Sequence, residues 1–205
     1  MRVYKGETYE RIFVNEEVKL CIEQEAGSHV KIHVINASFC ITVNQIGEGC
    51  STEIYGLEHL HGEDNVTAET HVTHAVGGGR SNQLIKFVLD DNSRGRFIGD
   101  LKIAPDAQQT EAHQTNRNLL LSETAEMRTQ PQLEIYADDV QATHGASTGQ
   151  LDESALFYMQ QRGIDKQKAR QLLVNAFMKE VIEAISDQYS DIREQLLNAV
   201  DGVVE

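Results

Sequence analysis

Between Val30 and about Ile135, apolar residues recur at every second position. Val30, Ile32 and Val34 share one face, as do Phe39, Ile41 and Val43, then Phe97, Leu101 and Ile103, then Leu133 and Ile135. A period of two predicts strands, each with one buried side. Short turn signals separate them: Ala26-Gly27-Ser28, Glu48-Gly49-Cys50, Pro105-Asp106-Ala107 and Glu123-Thr124-Ala125. The step from Gly27 to Gly49 and that from Asp106 to Thr124 are of similar length, and the stretch from Gly49 to Asp106 comes close to three such steps. The turns therefore look like markers of a degenerate repeat. Regular strands suit a sandwich as well as a solenoid. Residues 1–150 contain no Asn-Gly or Asp-Gly step, the usual mark of a tight hairpin, and stacked parallel coils need no hairpins.

After Gly149 the period changes to 3.6. Asp152 is placed to cap a short helix running through Phe157 and Tyr158 to Arg162, with Gly163 as its left-handed stop. Asp165 then caps a long helix whose Ala169, Leu172, Leu173, Ala176, Phe177, Val181, Ala184 and Ile185 form an apolar stripe. A third helix, from about Ser190 to Val200, spaces Ile192, Leu196 and Val200 four apart and ends at Asp201-Gly202. The expected organisation is a β region over residues 1–150, solenoid or sandwich, and a helical segment over 151–205. The helical stripe can pack on the other helices and the solenoid end, or dock another protein.

Charge narrows the partners. The 18 Lys and Arg stand against 32 Asp and Glu, a formal charge of -14, so a phosphate backbone or anionic membrane is repelled over most of the surface. No run of about 18 apolar residues occurs, and the N-terminus lacks a signal-peptide core, which points to the cytoplasm. Cys21, Cys40 and Cys50 form no CxxC pair and lie in or beside apolar runs, where buried, reduced thiols are the plain expectation.

Eight histidines, at positions 29, 33, 59, 61, 71, 74, 113 and 144, invite a metal reading that local geometry resists. His71 and His74 fall on opposite faces of one strand, and His29 and His33, though on one face, are about 13 Å apart in an extended chain. His59 and His61 sit beside Gly62 in an expected loop. Gly77-Gly78-Gly79 lacks the Lys-Ser or Lys-Thr of a phosphate loop and reads as a flexible loop. There is no Gly-x-Ser-x-Gly. Asp90-Asp91 and Asp138-Asp139, the adjacent Asp pairs, point opposite ways within a strand and read as turns, which weighs against a carbohydrate-active β-helix enzyme.

A chain of longer motifs then carries a resemblance. Val88-Leu89-Asp90-Asp91 with Ser93-Arg94-Gly95 is followed by Ala112-His113-Gln114-Thr115-Asn116 and by Asn118-Leu119-Leu120-Leu121-Ser122. Next come Pro131-Gln132-Leu133-Glu134-Ile135-Tyr136-Ala137-Asp138-Asp139-Val140 and Thr143-His144-Gly145-Ala146. Gly149-Gln150-Leu151-Asp152, Leu156-Phe157-Tyr158 and Arg162-Gly163-Ile164 complete the series. From Asn82 onward the chain resembles the SufB/SufD scaffold components of iron-sulfur cluster assembly, on the SufD side. Residues 1–81 resemble them more weakly, through Ile54-Tyr55-Gly56-Leu57 and Val72-Thr73-His74-Ala75.

The resemblance implies a mainly β chain with an α tail: a right-handed parallel β-helix followed by C-terminal helices. It implies a scaffold without catalytic residues of its own, paired with a SufB-like subunit and docking a SufC-like ATPase through its helices, with Phe157, Tyr158 and Phe177 as the docking residues. His144 matches the histidine that SufD-type chains place at the subunit interface, as a possible iron ligand or proton carrier. No cofactor is expected to stay with the isolated chain; iron or an iron-sulfur cluster would pass through the complex. A stand-alone homodimer is the expectation when the partner is missing. Two departures stand out: Ala142 replaces the thiol often found two positions before that histidine, and no cysteine lies between His113 and Leu121. The chain also opens almost directly in strands, where relatives usually have a helical region.

Overall fold

The computed structural model describes residues 1–202. Within them the strands run β1 (Arg2–Val3), β2 (Thr8–Val14), β3 (Val18–Gln24), β4 (His29–Ile35), β5 (Phe39–Gln45), β6 (Ser51–Leu60), β7 (Asn65–His74), β8 (Arg80–Leu89), β9 (Arg94–Ile103), β10 (Thr110–Leu120), β11 (Glu126–Ile135) and β12 (Val140–Gly149). Odd-numbered strands form one sheet, in the order β1-β3-β5-β7-β9-β11, and even-numbered strands the other, β12-β10-β8-β6-β4-β2. Every pairing between these strands is parallel. The fold is therefore a parallel β-solenoid in which each turn of the coil adds one strand to each sheet, and the sandwich alternative falls.

The coil length is not constant. Thr8 pairs with His29 and His29 with Ser51, but Ser51 pairs with Arg80 and Arg80 with Glu111. The early rungs are thus short and those from Ser51 onward distinctly longer. The stretch from Gly49 to Asp106 holds two long rungs, not three short ones, and the step from Asp106 to Thr124 runs between different corners. The missing marker is the glycine triplet. Gly77–Gly79 is an ordered corner and not a flexible loop: Gly77 O accepts from Gly49 N, and Gly78 N donates to Gln108 O. A Cβ at Gly79 would come within 2.3 Å of Gln45 Oε1 and 2.7 Å of His74 Nδ1, so backbone without a side chain is required there.

That corner is filled by a column of polar side chains. Gln24, Gln45 and His74 stand in register on β3, β5 and β7. Gln24 Nε2 donates to Ser51 O, Gln45 Nε2 to Arg80 O, and His74 Nε2 bonds Ser81 Oγ at 2.8 Å, while Gln45 Oε1 and His74 Nδ1 stay buried without a partner. Away from the corner the interior is built mainly on apolar side chains, with Ile22, Ile32, Ile41, Ile54, Ile85, Phe87, Phe97, Leu101 and Ile103 fully enclosed. Burying each such side chain contributes about 1.5–3 kcal/mol, which makes this column the main stabilising element of the coil.

The helical tail follows its caps closely. Helix α1 (Glu153–Gln161) starts where Asp152 Oδ1 accepts from Ser154 N and ends at Gly163, whose φ is +84°. Helix α2 (Lys166–Glu183) starts where Asp165 Oδ1 accepts from Lys168 N. A short 3-10 turn (Asp187–Tyr189) then leads into α3 (Ser190–Gly202). The buried face of α2 meets the expected stripe at Ala169 and Val181 but also takes in Val174, Asn175, Met178 and Ile182, whereas Leu172 and Ala176 face outward. The reason lies in where α2 sits. It does not close the solenoid end but lies across the outer face of the even-numbered sheet, on Ile35, Tyr55, Leu57, Leu84, Val88 and Leu119. Those outward apolar side chains on β4, β6, β8 and β10 need a cover, and they select the helix face that supplies it.

Candidate interface at the open end of the solenoid

Strands β11 and β12 are the last rung, and among the described residues each pairs on one side only. Their edges are unlike. β11 carries Glu126, Arg128, Pro131 and Glu134, charges and a proline that discourage pairing with a further strand. β12 reads Val-Gln-Ala-Thr-His-Gly-Ala-Ser-Thr-Gly, with no Asp, Glu, Lys, Arg or Pro along its whole length. An edge of that length and neutrality is a template for another strand.

His144 lies in the middle of β12. It is in register with Gln114 of β10, which is in register with Gln83 of β8 and, beyond it, Ile54 of β6. Register partners on parallel strands share a face, so His144 points to the solenoid interior, yet it is exposed because the interior is open at this end. Beneath it the floor turns polar. Gln114 and Gln83 are buried, Gln114 Nε2 reaches Gln83 Oε1 at 3.5 Å, and Gly99 leaves the room that Gln114 needs, since a Cβ there would lie 2.6 Å from its Nε2. Beside them Asn116 and Asn118 exchange amide hydrogen bonds of 3.0 and 2.8 Å, and Asn118 Nδ2 donates to Thr148 Oγ1 on β12. The opening is thus an imidazole over an amide-lined floor, flanked by Ala142 and Ala146. Such a group can accept a proton or offer one nitrogen to a metal; alone it cannot hold an ion tightly.

The proposed docking residues part company. Phe157 and Tyr158 on α1 are 62% and 57% exposed, with the Arg162 guanidinium over the Tyr158 ring. Phe177 on α2 is partly buried: its ring lies under Lys86 Nζ, 4.4 Å from the centroid, and its carbonyl accepts from the same ammonium at 2.7 Å. Lys86 also bonds Glu180, which Arg117 approaches at 3.2 Å.

The other histidines scatter as their strands dictate. His71 and His74 do take opposite faces of β7. His33 is buried under the helices, stacked on Tyr55 with ring centroids 4.7 Å apart. His59 is in β6 rather than a loop, its ring 6.3 Å from that of His61. His113 faces outward and bonds Thr143 Oγ1 at 2.8 Å. Of the three thiols only Cys50 is buried; Cys40 is half-buried and Cys21 exposed. Both adjacent Asp pairs lie at turns between strands. The signal missed in the sequence is cross-strand: Cys40, Glu69, His71 and Asp100 meet on the outer face of the odd-numbered sheet because the long rungs set β5, β7 and β9 side by side.

Comparison with known proteins gives a concordant result. The SufBD core domain of the SUF system for FeS cluster assembly matches residues 17–177. The chain is 38% identical over 151 residues to the iron-sulfur cluster assembly protein SufD of Escherichia coli, covering 74% of this chain and 35% of that protein. It is 37% identical over 147 residues to a SufBD family iron-sulfur cluster assembly protein of Synechocystis, covering 71% of this chain and 32% of that one. Similarity to the chloroplastic protein ABCI7 of Arabidopsis thaliana is 33% over 189 residues, 89% of this chain and 39% of the relative. The chain thus spans about a third of the length of the curated relatives it matches.

Proposed function

Since this chain belongs to the SufBD core family of iron-sulfur cluster assembly proteins, we propose that it is a SufD-like scaffold subunit that pairs with a SufB-like subunit through the open rung of its solenoid. The observation that carries the reading is the β12 edge: a neutral strand without an outer partner among the described residues, with His144 turned inward at its centre. A partner strand laid along β12 would convert that exposed imidazole into a group enclosed between two coils. There it would serve as a transient iron ligand or a proton carrier for a cluster assembled as cargo, not as a resident cofactor.

The same reading gives ATP hydrolysis to a SufC-like partner and no catalytic residue to this chain. Phe157 and Tyr158 are the favoured docking residues on the tail, since their exposed rings are the large apolar groups that α1 presents to solvent. Phe177 contributes by holding α2 against Lys86. Deleting the tail would uncover Leu57, Leu84 and Val88, so docking is better tested by Phe157→Ser with Tyr158→Ser, which should abolish co-purification of the ATPase while leaving the circular dichroism unchanged. Retained ATPase would move the docking site elsewhere.

The decisive experiment is co-expression with SufB-like and SufC-like partners, followed by iron and sulfide analysis of the purified complex. His144→Ala is expected to leave folding and complex formation intact, because the side chain is exposed, and to lower the cluster yield. Normal cluster loading by that variant would eliminate the ligand or proton role.

A further inference from the structure

The outer face of the odd-numbered sheet gathers four groups that their strands bring together and that the open rung does not use. Cys40 on β5 is in register with Glu69 on β7, and two positions along the same strand His71 is in register with Asp100 on β9. One donor atom from each of Cys40, Glu69 and His71 lies within 4.8 Å of the others, and all three residues are half-buried. Asp100 Oδ2 is 2.7 Å from His71 Nδ1, and His71 Nε2 is 3.9 Å from Glu69 Oε2.

The arrangement has the logic of a metal centre. A carboxylate on one ring nitrogen fixes the imidazole so that its other nitrogen presents a lone pair, as outer-sphere carboxylates do for metal-bound histidines. That lone pair, the Glu69 carboxylate and the Cys40 sulfur then converge on one point. The adjoining cation, Lys19, stands on β3 in register with Cys40, on the side away from β7. A four-coordinate zinc-like ion sits about 2.0–2.3 Å from each donor and holds donors roughly 3.5 Å apart, a closing movement within the reach of side-chain rotation. The mixed sulfur, nitrogen and oxygen set selects a first-row transition ion over magnesium or calcium. We infer that Cys40, Glu69 and His71, oriented by Asp100, bind one divalent transition-metal ion of the zinc class, with a fourth position open to water.

Binding displaces the thiol proton of Cys40, so affinity rises with pH. Burial and then the neighbouring Glu69 push that thiol's pKa up against a smaller opposing pull from Lys19, an unfavourable setting for a thiolate that a bound cation reverses. Cys21, on β3 one strand away, is a neighbour but not part of the donor set.

The inference does not depend on the scaffold reading, and the test keeps the two apart. The reduced full-length chain is titrated with cobalt(II), whose bond to thiolate gives a near-ultraviolet charge-transfer band. The expected result is a band that saturates at one equivalent and is bleached by zinc(II). Cys40→Ser should abolish it. His71→Ala and Glu69→Gln should each weaken binding at least about tenfold, and Asp100→Asn about tenfold with the band retained. His144→Ala and Cys21→Ser should leave the band in place. Matching circular dichroism and melting of the metal-free variants guards against unfolding. No band in the unaltered chain, or a band that persists in Cys40→Ser, would overturn the site.

Discussion

At the scale of single residues, three buried titratable groups bear most directly on the pH dependence of the fold between about pH 4 and 9. Glu58 points into the solenoid interior, fully enclosed, and burial raises its pKa to about 9 against the opposing Ala37 backbone. His33 and His74 are lowered, to about 3 and about 4, by burial first, with Lys31 adding to the effect at His33. Below its unfolded value of about 6.5 each imidazole costs stability, because the unfolded chain takes up a proton that the folded one refuses; stability therefore rises with pH up to about 6.5. Glu58 acts the other way: between about 4.5 and 9 the unfolded chain has lost a proton that the folded chain keeps, so stability falls as pH rises. Two histidines outweigh one glutamate below about pH 6.5 and neither opposes it just above, so the maximum falls near there; Lys86, whose pKa burial lowers, works against the glutamate only farther towards alkaline pH. Glu58→Gln should remove the alkaline fall, so urea unfolding of variant and parent compared at about pH 6.5 and again at about pH 9 will differ in slope; parallel losses would show that Glu58 ionises freely in the folded state. None of this was legible in the sequence, where these residues are three polar letters in alternating runs. Only the stacking of neighbouring rungs encloses them.

At the scale of elements the local signals were sound and the non-local ones were not. Asp152, Gly163 and Asp165 marked helix ends because a cap bonds backbone within its own turn. The period-two runs marked strands for the same reason, and the region extends back through β2 and β3, whose Val18, Leu20 and Ile22 already alternate. Rung length could not be read from turns alone, since each coil has two kinds of corner and widens midway. The face of α2 was legible only in part, at Ala169 and Val181, because the sheet beneath it decides which side is buried. Lys86 is the clearest case: an outward-facing lysine on β8 that α2 covers, its pKa lowered by burial although Glu180 partly compensates, and its ammonium donates to the Phe177 carbonyl. Hydrogen bonds to a charged group contribute about 1.5–3 kcal/mol, and Lys86→Met forfeits them. The expected loss is about 1–3 kcal/mol by urea unfolding, and combining the change with Glu180→Gln should cost little more than either alone; full additivity would show that the two side chains do not act as a pair.

At the scale of the whole molecule, the division into strands and then helices was legible from the change of period at Gly149, whereas the solenoid and the site came only through resemblance. His144 stands among eight histidines, and no spacing distinguishes it; its place on an unpaired edge does. Among the described residues no helix is long and apolar enough to cross a membrane. The edge makes assembly testable. Ala146 flanks His144 on the inward side of β12, so Ala146→Lys puts a charge where a second coil would stack. Light scattering of the co-expressed complex should then show separate subunits, with the variant's own melting temperature close to that of the parent. A complex of undiminished mass would place the contact away from β12. In the absence of partners, the same measurement on the parent chain tests the homodimer: a doubled mass is the expected outcome, and a single-chain mass would overturn it.

Because the coil widens midway, its stack is a taper and not a uniform cylinder: the short strands β2 to β5 give way to longer ones from β6 onward. A backbone ladder runs only as far as the shorter of its two strands. The broad mouth therefore finds its fullest match in another broad mouth and a poorer one in a slender turn, which favours a closed pair over an endless head-to-tail fibre.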